Sequence, residues 1–466
     1  MTDYHHFHPS ILRAYDIRGV YGDTLRDSDA YAIGRAFGSQ IAELGGKSIA
    51  VGWDGRASSP ALSMALSQGL AECGLTVKQI GCGPTPMLYF AVHHLKADGG
   101  IMVTGSHNPP DYNGFKLMAG KAAIFGEEIQ SIGRRAARAD YVTAHGHIEQ
   151  ISVETAYVDR LTRDVRLDDK MACGWDPGNG AVAQILEPLL ERIPGRNLPI
   201  NDIVDSTFPN HHPDPSDPKN LEQVQRLVRE KELDIGFAFD GDGDRLGVID
   251  RNGRIVWPDQ LLVLLARQVL GKLPGRTIIA DVKASQTLFD EVAKAGGKPL
   301  MWKTGHSLVK AKMAETKAPL AGEMSGHIFY ADRWYGFDDA IYAALRSLEA
   351  LAEDGRPLHE VVDALPITVA TPEIRIDCGD DVKFEIVDAV GRSLHGSPGK
   401  VIDIDGVRVV GEDGWWLLRA SNTQPALVAR CEGVDASALE RLQAQLDRAL
   451  SEAGLGSPAE PVRATA

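Results

Sequence analysis

The stretch Thr104–Lys116, which reads TGSHNPPDYNGFK, combines a hydroxyl, an imidazole and an amine in a segment rich in glycine and proline. It follows the apolar run Gly100–Val103, which is typical of the end of a buried strand. Glycine and proline interrupt regular structure, so we expect Ser106 on an exposed turn whose shape the backbone sets. Beside His107 and Lys116, this serine is either a nucleophile or the carrier of a phosphoryl group. A polar surface turn without chemistry is the alternative that this stretch alone leaves open.

A second loop, DGDGDR at residues 240–245, alternates three carboxylates with two glycines directly after an apolar strand pattern. The glycines let the backbone curl, so Asp240, Asp242 and Asp244 can converge on one hard cation. Neighbouring carboxylates repel one another unless a cation or an arginine compensates them, which makes a purely structural turn the weaker interpretation. The ligands are too few for a twelve-residue calcium loop. We therefore predict Mg²⁺, with one position open for a phosphate oxygen.

Two further loops carry groups suited to a sugar phosphate. GEMSGH offers Glu323 and Ser325 to vicinal hydroxyls. RASNT, at residues 419–423, gathers a guanidinium, two hydroxyls, an amide and backbone N–H groups, which a phosphate dianion needs. Lys283 and the TGHS turn at residues 304–307 add donors. Each loop alone could be an ordinary polar turn, but the conjunction of all four is far more specific than any member.

Near the N-terminus, the segment Tyr15–Gly19 places an aromatic ring, an acid and Arg18 within one short motif. The planar guanidinium can grip two phosphate oxygens at once, so Arg18 is a candidate anion clamp. A structural pair with Asp16 is an equally good interpretation of this motif alone.

The elements that position these loops recur along the chain. Strand patterns end in Asp54, Asp176 and Asp281, on the order of a hundred residues apart, and each precedes a second strand that leads into one functional loop. Alternating strands and helices predict parallel strands covered by helices. We therefore predict three diverged copies of one α/β unit with a mixed sheet. Chance resemblance between α/β segments is the alternative.

From about residue 367 the pattern changes. Val401–Ile404 and Val407–Val410 predict a hairpin with a tight Asp405-Gly406 turn, and strands bracket the RASNT loop. A final amphipathic helix runs from Asp435. These elements predict a separate α+β domain, followed by a disordered tail from Gly456.

Composition restricts the class of protein. At 466 residues the chain is too long for one ordinary core, and 44% hydrophobic with 24% charged residues is typical of a globular protein. The formal net charge of −15 argues against broad nucleic-acid binding. The five cysteines are scattered without metal spacing, and neither a signal peptide nor an apolar run of membrane length is apparent. We expect a cytoplasmic protein with neither nucleic-acid nor membrane partners.

The motifs TGSHNP, DGDGDR, GEMSGH and RASNT resemble, in this order and over nearly the whole chain, those of the α-D-phosphohexomutase superfamily. The residues of these motifs are most similar to those of the bacterial phosphomannomutase/phosphoglucomutase branch, whereas the glucosamine branch typically has Gln where Met324 stands. The resemblance implies four domains around a central active-site cleft and a phosphoryl group on Ser106. We set the domains at residues 1–151 (phosphoserine loop), 152–254 (metal loop), 255–366 (sugar-binding loop) and 367–466 (phosphate-binding loop).

The implied reaction interconverts hexose 1-phosphate and hexose 6-phosphate, of mannose and/or glucose, through a phosphoserine and a 1,6-bisphosphate intermediate. Mg²⁺ and a hexose 1,6-bisphosphate activator are the implied cofactors, and sugar phosphates the partners. A phosphoglucosamine mutase and a phosphoserine-dependent phosphohydrolase are the alternative enzymes, and a non-catalytic sugar-phosphate sensor is the alternative from another class. The predicted site residues are, for catalysis, Ser106, His107, Lys116, Arg18 and Arg245; for substrate, Tyr15, Lys283, His306, Glu323, Ser325, His327, Arg419, Ser421, Asn422 and Thr423; and for metal, Ser106, Asp240, Asp242 and Asp244.

Overall fold

The computed structural model describes residues 4–379, 381–394, 399–422 and 425–455. Four sheets follow one another along the chain. The predicted tail from Gly456 and the predicted phosphate ligand Thr423 lie outside the described residues.

The first unit contains a sheet with the strand order β1-β5-β4-β2-β3-β7, in which β6 pairs with β5. Pro60 occupies the first turn of its second helix, where a missing N–H costs no hydrogen bond. Its elements are β1 (Ile17–Val20), α1 (Asp27–Glu43), β2 (Ser48–Trp53), α2 (Ser59–Ala71), β3 (Thr76–Cys82), α3 (Thr85–His94), β4 (Gly99–Val103), β5 (Tyr112–Ala119), β6 (Ala122–Ala123), α4 (Glu127–Arg138) and β7 (His147–Gln150).

The second unit contains a sheet with the order β12-β11-β10-β8-β9. Its elements are α5 (Glu154–Arg163), β8 (Ala172–Asp176), α6 (Ala183–Leu190), β9 (Arg196–Pro199), a 3₁₀ helix (Pro218–Leu221), α7 (Glu222–Glu230), β10 (Ile235–Phe239), β11 (Leu246–Asp250) and β12 (Ile255–Val256).

The third unit contains a sheet with the order β14-β13-β15-β16. Its elements are α8 (Pro258–Lys272), β13 (Thr277–Asp281), α9 (Gln286–Lys294), β14 (Lys298–Trp302), α10 (His306–Thr316), β15 (Leu320–Gly322), β16 (Ile328–Tyr330), α11 (Ala340–Asp354) and α12 (Leu358–Asp363).

These three sheets share one arrangement of four strands. A central strand that ends at or just before the repeated aspartate (β2, β8 or β13) pairs in parallel with an outer strand and with the strand that leads into the functional loop. The chain then returns antiparallel to that loop strand, as β5, β11 or β16. The shared topology confirms three related mixed-sheet α/β units, because chance resemblance would not reproduce order and direction three times.

The C-terminal domain has a different, largely antiparallel sheet with the order β17-β22-β21-β20-β19, in which β18 also pairs with β22. Asp435 caps its last helix, since its carboxylate accepts a hydrogen bond from the Ala438 N–H at 2.8 Å. Its elements are β17 (Val369–Ala370), β18 (Ile374–Asp377), α13 (Lys383–Ser393), β19 (Lys400–Ile402), β20 (Val407–Gly411), β21 (Gly414–Ala420), β22 (Ala426–Gly433) and α14 (Ala436–Glu452).

The predicted tight hairpin turn is wrong in one detail. The first strand of this hairpin stops at Ile402, which pairs with Arg408, so the connection is longer than an Asp-Gly turn. Asp405 is drawn out of the hairpin because its carboxylate accepts hydrogen bonds from the Arg419 guanidinium, at 3.0 Å from Nε, and from the Thr304 N–H, also at 3.0 Å.

Several clusters of buried hydrophobic side chains make up the core of the molecule. One links the first three units, from Ala50 to Val361, and the first unit has a second cluster of its own, which includes Val51, Val103 and Phe115. The C-terminal domain has its own cluster, built on Leu418, Leu427 and Leu442 among others. A small cluster of Val282, Trp415 and Leu417 packs the third unit against that domain. No helix within the described residues has the length and apolar character needed to cross a membrane.

Candidate active site

Ser106 lies on the turn between β4 and β5 with a φ of 50°, a left-handed conformation that is uncommon for residues other than glycine. Its Oγ donates a hydrogen bond to Asp240 Oδ2 at 3.1 Å and lies 3.1 Å from His107 Nδ1. The expectation of an exposed turn is wrong, since Ser106 is only 3% exposed. The reason is tertiary, because Gly241 of the second unit packs so closely that a Cβ there would lie 2.4 Å from the Ser106 carbonyl oxygen.

The DGDGDR loop places three fully buried carboxylates beside this serine. Asp240, Asp242 and Asp244 each offer an oxygen within 4.8 Å of the others. Asp242 Oδ1 is buried and has no hydrogen-bond partner within the described residues, whereas Asp244 Oδ1, also buried, lies 3.2 Å from His327 Nε2. A buried, unpartnered carboxylate oxygen is costly unless a cation binds it, so Asp242 Oδ1 in particular suits a divalent metal with oxygen ligands.

Lys116, on β5, neutralises the other oxygens of the same carboxylates. Its Nζ donates to Asp242 Oδ2 at 2.7 Å and also to Asp244 Oδ2. Burial lowers the pKa of Lys116, but the two carboxylates outweigh it and raise that pKa well above its usual value. Lys116 is therefore a fixed positive charge that leaves the Oδ1 atoms available to a metal.

The remaining predicted catalytic groups also lie at this end of the cleft. Burial, reinforced by the charges of Arg245 and Arg18, holds the pKa of His107 well below its usual value, so its ring is neutral at pH 7. Arg18 donates to the Asn108 side chain, on the Ser106 turn, and to Asp16 at 2.5 Å. The structural Arg18–Asp16 pair is thus present and does not prevent contact with the serine turn.

The GEMSGH loop lies against the metal loop. His327 is the contact, with Nε2 3.2 Å from Asp244 Oδ1 and Nδ1 3.3 Å from Glu323 Oε2. Burial lowers the pKa of His327, but these carboxylates raise it to about 9, so the ring is a cation at neutral pH. Ser325 Oγ lies 2.8 Å from Nδ1 of the same ring. Asp244, His327 and Asp338 also form a group with metal-ligand spacing, but an imidazolium has no lone pair to give a metal.

His306 lies under this loop, with its ring stacked on His327 at 5.6 Å between centroids. Burial and the charge of Lys310 hold the pKa of His306 well below its usual value. Lys310 Nζ contacts His306 Nδ1 at 3.1 Å and donates to Asp338 Oδ1 at 2.9 Å. Lys310 and Asp338 therefore fix the orientation of a predicted substrate residue, although the sequence analysis did not select them.

The RASNT loop reaches the cleft from the C-terminal domain. Arg419 is 5% exposed and is oriented by Asp405. Asn422 Nδ2 donates to the Tyr15 hydroxyl at 2.5 Å, and that hydroxyl donates to the Thr304 carbonyl at 3.0 Å. One chain of hydrogen bonds thus connects the C-terminal domain with the first and third units across the cleft.

Lys283 follows β13 and faces the same side. Its Nζ donates to Glu373 Oε2 at 3.0 Å and lies 4.0 Å from Asp281 Oδ2. Next to it, the Glu323 carboxylate accepts the Gly305 N–H at 2.5 Å. Gly305 has a φ of +134° and lies against the Tyr15 ring, where a Cβ would come within 2.7 Å, so only glycine fits.

Comparison with known families matches all four parts of the chain. Models described as "Phosphoglucomutase/phosphomannomutase, alpha/beta/alpha domain" I, II and III match residues 9–142, 155–253 and 257–368, and the model of the C-terminal domain matches residues 373–449. The chain belongs to the phosphoglucomutase/phosphomannomutase family.

Among relatives in this family, the phosphomannomutase/phosphoglucomutase of Pseudomonas aeruginosa is 46% identical over 434 residues, which cover 93% of this chain and 94% of the relative. The phosphoglucomutase of Neisseria gonorrhoeae is 42% identical over 437 residues, with 93% and 95% coverage. A crystal structure of a phosphoglucomutase/phosphomannomutase family protein from Burkholderia thailandensis superposes with a TM-score of 0.91 at 44% identity, covering 97% of this chain and 99% of that one.

Several residues of this family site lie outside the predicted set. Thr85, at the start of α3, donates to Asp242 Oδ2 at 2.5 Å, and Thr104 lies 3.2 Å from the same oxygen. Thr104 belongs to the TGSHNP motif and could have been found there. Thr85 and Asp405 carried no local signal, because only the packing of separate units brings them to the cleft.

Proposed function

We propose that this protein interconverts the 1-phosphates and 6-phosphates of mannose and/or glucose through a phosphoserine at Ser106 and a 1,6-bisphosphate intermediate. The observation that carries the proposal is the contact of Ser106 Oγ with Asp240 at 3.1 Å, inside a group of three buried carboxylates. Relatives that are named phosphomannomutase/phosphoglucomutase or phosphoglucomutase support the same reaction class.

In the forward step the phosphorus–Oγ bond of phospho-Ser106 breaks, and a bond forms between phosphorus and the free sugar hydroxyl. The proton that the sugar hydroxyl loses ends on Ser106 Oγ, the leaving oxygen, and His107 Nδ1, 3.1 Å from Oγ, is placed to pass a proton to it. The bisphosphate then turns over, and its other phosphoryl group returns to Oγ by the reverse step. Lys116 and Arg245 supply positive charge to the phosphoryl group in transfer.

Asp240, Asp242 and Asp244, with Ser106 or its phosphoryl group, would hold Mg²⁺. When bound, the ion neutralises charge on the transferring group. A hexose 1,6-bisphosphate activates the enzyme by leaving one phosphoryl group on Ser106 whenever the serine has lost it.

The other side of the cleft holds the part of the substrate that does not react. Glu323 and Ser325 bind sugar hydroxyls in both orientations, with His306 and His327 behind them. Arg419, Ser421, Asn422 and Thr423 bind the non-reacting phosphate, assisted by Lys283 and Tyr15. These are polar or charged groups on loops from three different units, which suits a ligand that must turn around.

The domain boundaries that we propose are residues 1–151, 152–254, 255–366 and 367–466. We place the reaction in the cytoplasm, in line with five free cysteines. Sugar phosphates are the proposed partners, and the net charge of −15 opposes nucleic-acid binding.

The decisive test is Ser106→Ala. We expect intact-mass measurement to lose the phospho-form, and mutase turnover to fall by at least about a thousandfold, since no other nucleophile replaces the hydroxyl. The control is Ser451→Ala, which removes an exposed hydroxyl on the last helix. Turnover of Ser106→Ala near that of the wild type would refute the mechanism.

The product distinguishes a mutase from the alternative phosphohydrolase. Incubation with glucose 1-phosphate or mannose 1-phosphate, plus a bisphosphate activator, should give the 6-phosphate without stoichiometric inorganic phosphate. Release of inorganic phosphate as the main product would favour the hydrolase. The ratio of the rates with mannose 1-phosphate and with glucose 1-phosphate measures the sugar preference.

A further inference from the structure

Arg56, in the segment that joins β2 to α2, is a buried arginine that the proposed reaction does not use, and it is only 2% exposed. Its Nε donates to Asp54 Oδ2 at 3.0 Å. The other four N–H groups reach backbone carbonyls of the serine turn, those of Ser106 and Asn108 at 2.7 Å, of Tyr112 at 3.0 Å, and of Pro109. All five donors of the guanidinium are therefore committed, four of them to one loop.

Asp54 completes this arrangement from the other side. Its Oδ2 accepts the Gly105 N–H at 3.0 Å and the Thr104 hydroxyl at 2.8 Å. The guanidinium packs so closely on the turn that a Cβ at Gly105 would lie 2.4 Å from it. Arg56 thus holds carbonyl groups of the turn, and Asp54 holds the Gly105 N–H and the Thr104 hydroxyl of the same turn. The peptide groups of the turn therefore have little freedom to rotate.

The orientation of one peptide group has a chemical consequence. All described peptide bonds are trans, so the N–H of His107 points opposite to the Ser106 carbonyl, which faces Arg56. Within the described residues that N–H has no hydrogen-bond acceptor. It lies on the residue next to Ser106, where a phosphoryl group on Oγ would supply an acceptor.

We propose that Arg56 is a positioning residue that fixes the peptide between Ser106 and His107, so that the His107 N–H donates a hydrogen bond to the phosphoryl group on Ser106. The inference rests on the proposed function, because it needs a phosphoryl group on that serine. Preorganised backbone donors of this kind stabilise developing charge without reorganising during the reaction.

The three repeated units provide an internal comparison. Two residues after the repeated aspartate stand Arg56, Gly178 and Lys283 in the first, second and third units. Gly178 has no side chain to hold a loop, and Lys283 pairs with Glu373 of the C-terminal domain. Among these three described positions, only the one beside the serine turn carries a side chain that binds backbone carbonyls.

The first test is Arg56→Lys, which keeps the charge beside Asp54 but cannot reach four carbonyls from one ammonium. We expect kcat to fall by about ten- to a hundredfold through misplacement of the turn, with KM for glucose 1-phosphate within about twofold. The matched control is Arg35→Lys, a buried arginine of the same unit that bonds to Val142 and Thr143 away from the cleft. A kcat of Arg56→Lys within twofold of the Arg35→Lys control would overturn the inference.

The second test uses the wild-type protein and does not depend on the folding of a variant. With selective ¹⁵N-histidine labelling, the His107 amide, assigned by its loss in His107→Gln, should move downfield when Ser106 is phosphorylated. A phospho-form detected by intact mass together with an unshifted His107 amide would overturn this inference and leave the proposed function in place. Absence of any phospho-form under bisphosphate would overturn both.

Discussion

The two sides of the cleft are built in different ways. The reacting side, formed by Ser106, Lys116 and the three aspartates of DGDGDR, is buried within units that one cluster of hydrophobic side chains links together. The holding side combines the GEMSGH loop with the RASNT loop of a domain that has its own core. We therefore place the proposed phosphoryl transfer on the side held by buried contacts, and the proposed binding of the non-reacting phosphate on a domain that we expect to move relative to the others.

Contacts across the cleft reflect the same difference. Lys116 crosses from the first unit to the second through two buried ion pairs with Asp242 and Asp244. The C-terminal domain is joined to the rest through the apolar cluster of Val282, Trp415 and Leu417 and through buried hydrogen bonds from Arg408. At the cleft it adds partly exposed polar links, such as Lys283–Glu373 and Asn422–Tyr15. These polar links can break and reform at lower cost than a buried pair, which loses its partner in a dry environment. Changes on the reacting side should therefore alter kcat, and changes on the holding side should alter KM.

Among the changes that compare the two sides of the cleft, the largest expected effect is that of Asp242→Asn on the reacting side. The loss of one carboxylate weakens the proposed metal site, and we expect kcat to fall by about a hundredfold or more, with KM within about threefold. Thorough chelation should abolish wild-type turnover, and added Mg²⁺ should restore it. Asp217→Asn, an exposed helix cap, is the control. Normal turnover of the chelated enzyme would show that DGDGDR is structural.

An intermediate effect is expected for Arg419→Ala on the holding side. Loss of a guanidinium–phosphate pair should cost about 1.5–3 kcal/mol of binding, so KM for both monophosphates should rise about ten- to a hundredfold while kcat changes little. Steady-state kinetics measure this directly. Arg441→Ala, which removes an exposed pair with Asp413 in the same domain, should leave KM unchanged. A fall in kcat at constant KM would contradict the assignment of the two sides.

The smallest expected effect is that of Tyr15→Phe, which removes the hydroxyl between Thr304 and Asn422. One net hydrogen bond is worth about 0.5–1.5 kcal/mol, so KM should rise about two- to tenfold. Tyr21→Phe, at an exposed tyrosine, is the control for this change.

We also expect the C-terminal domain to close on sugar phosphate. The closure should appear as greater hydrogen-exchange protection at residues 419–422 and as greater compactness in scattering. Saturation with ligand without any change in protection or compactness would argue against the closure.

Local signals in the sequence determined the elements and the loops. Strands that end at repeated aspartates and an amphipathic last helix were predicted because the periodicity of apolar residues acts within a few residues. The DGDGDR motif likewise fixed three carboxylates on one loop. The four loops, and with them most of the residues that meet in the cleft, were therefore accessible from the sequence.

Only the tertiary structure decided what surrounds those loops. Ser106 is buried because the second unit packs over its turn, and Lys116 meets Asp242 across 126 positions of the chain. Asn422 meets Tyr15 across 407 positions, and Arg56 binds carbonyls more than fifty positions away. No periodicity records such contacts, because they depend on how complete units dock on one another, and that docking is set by the shared core rather than by any single segment.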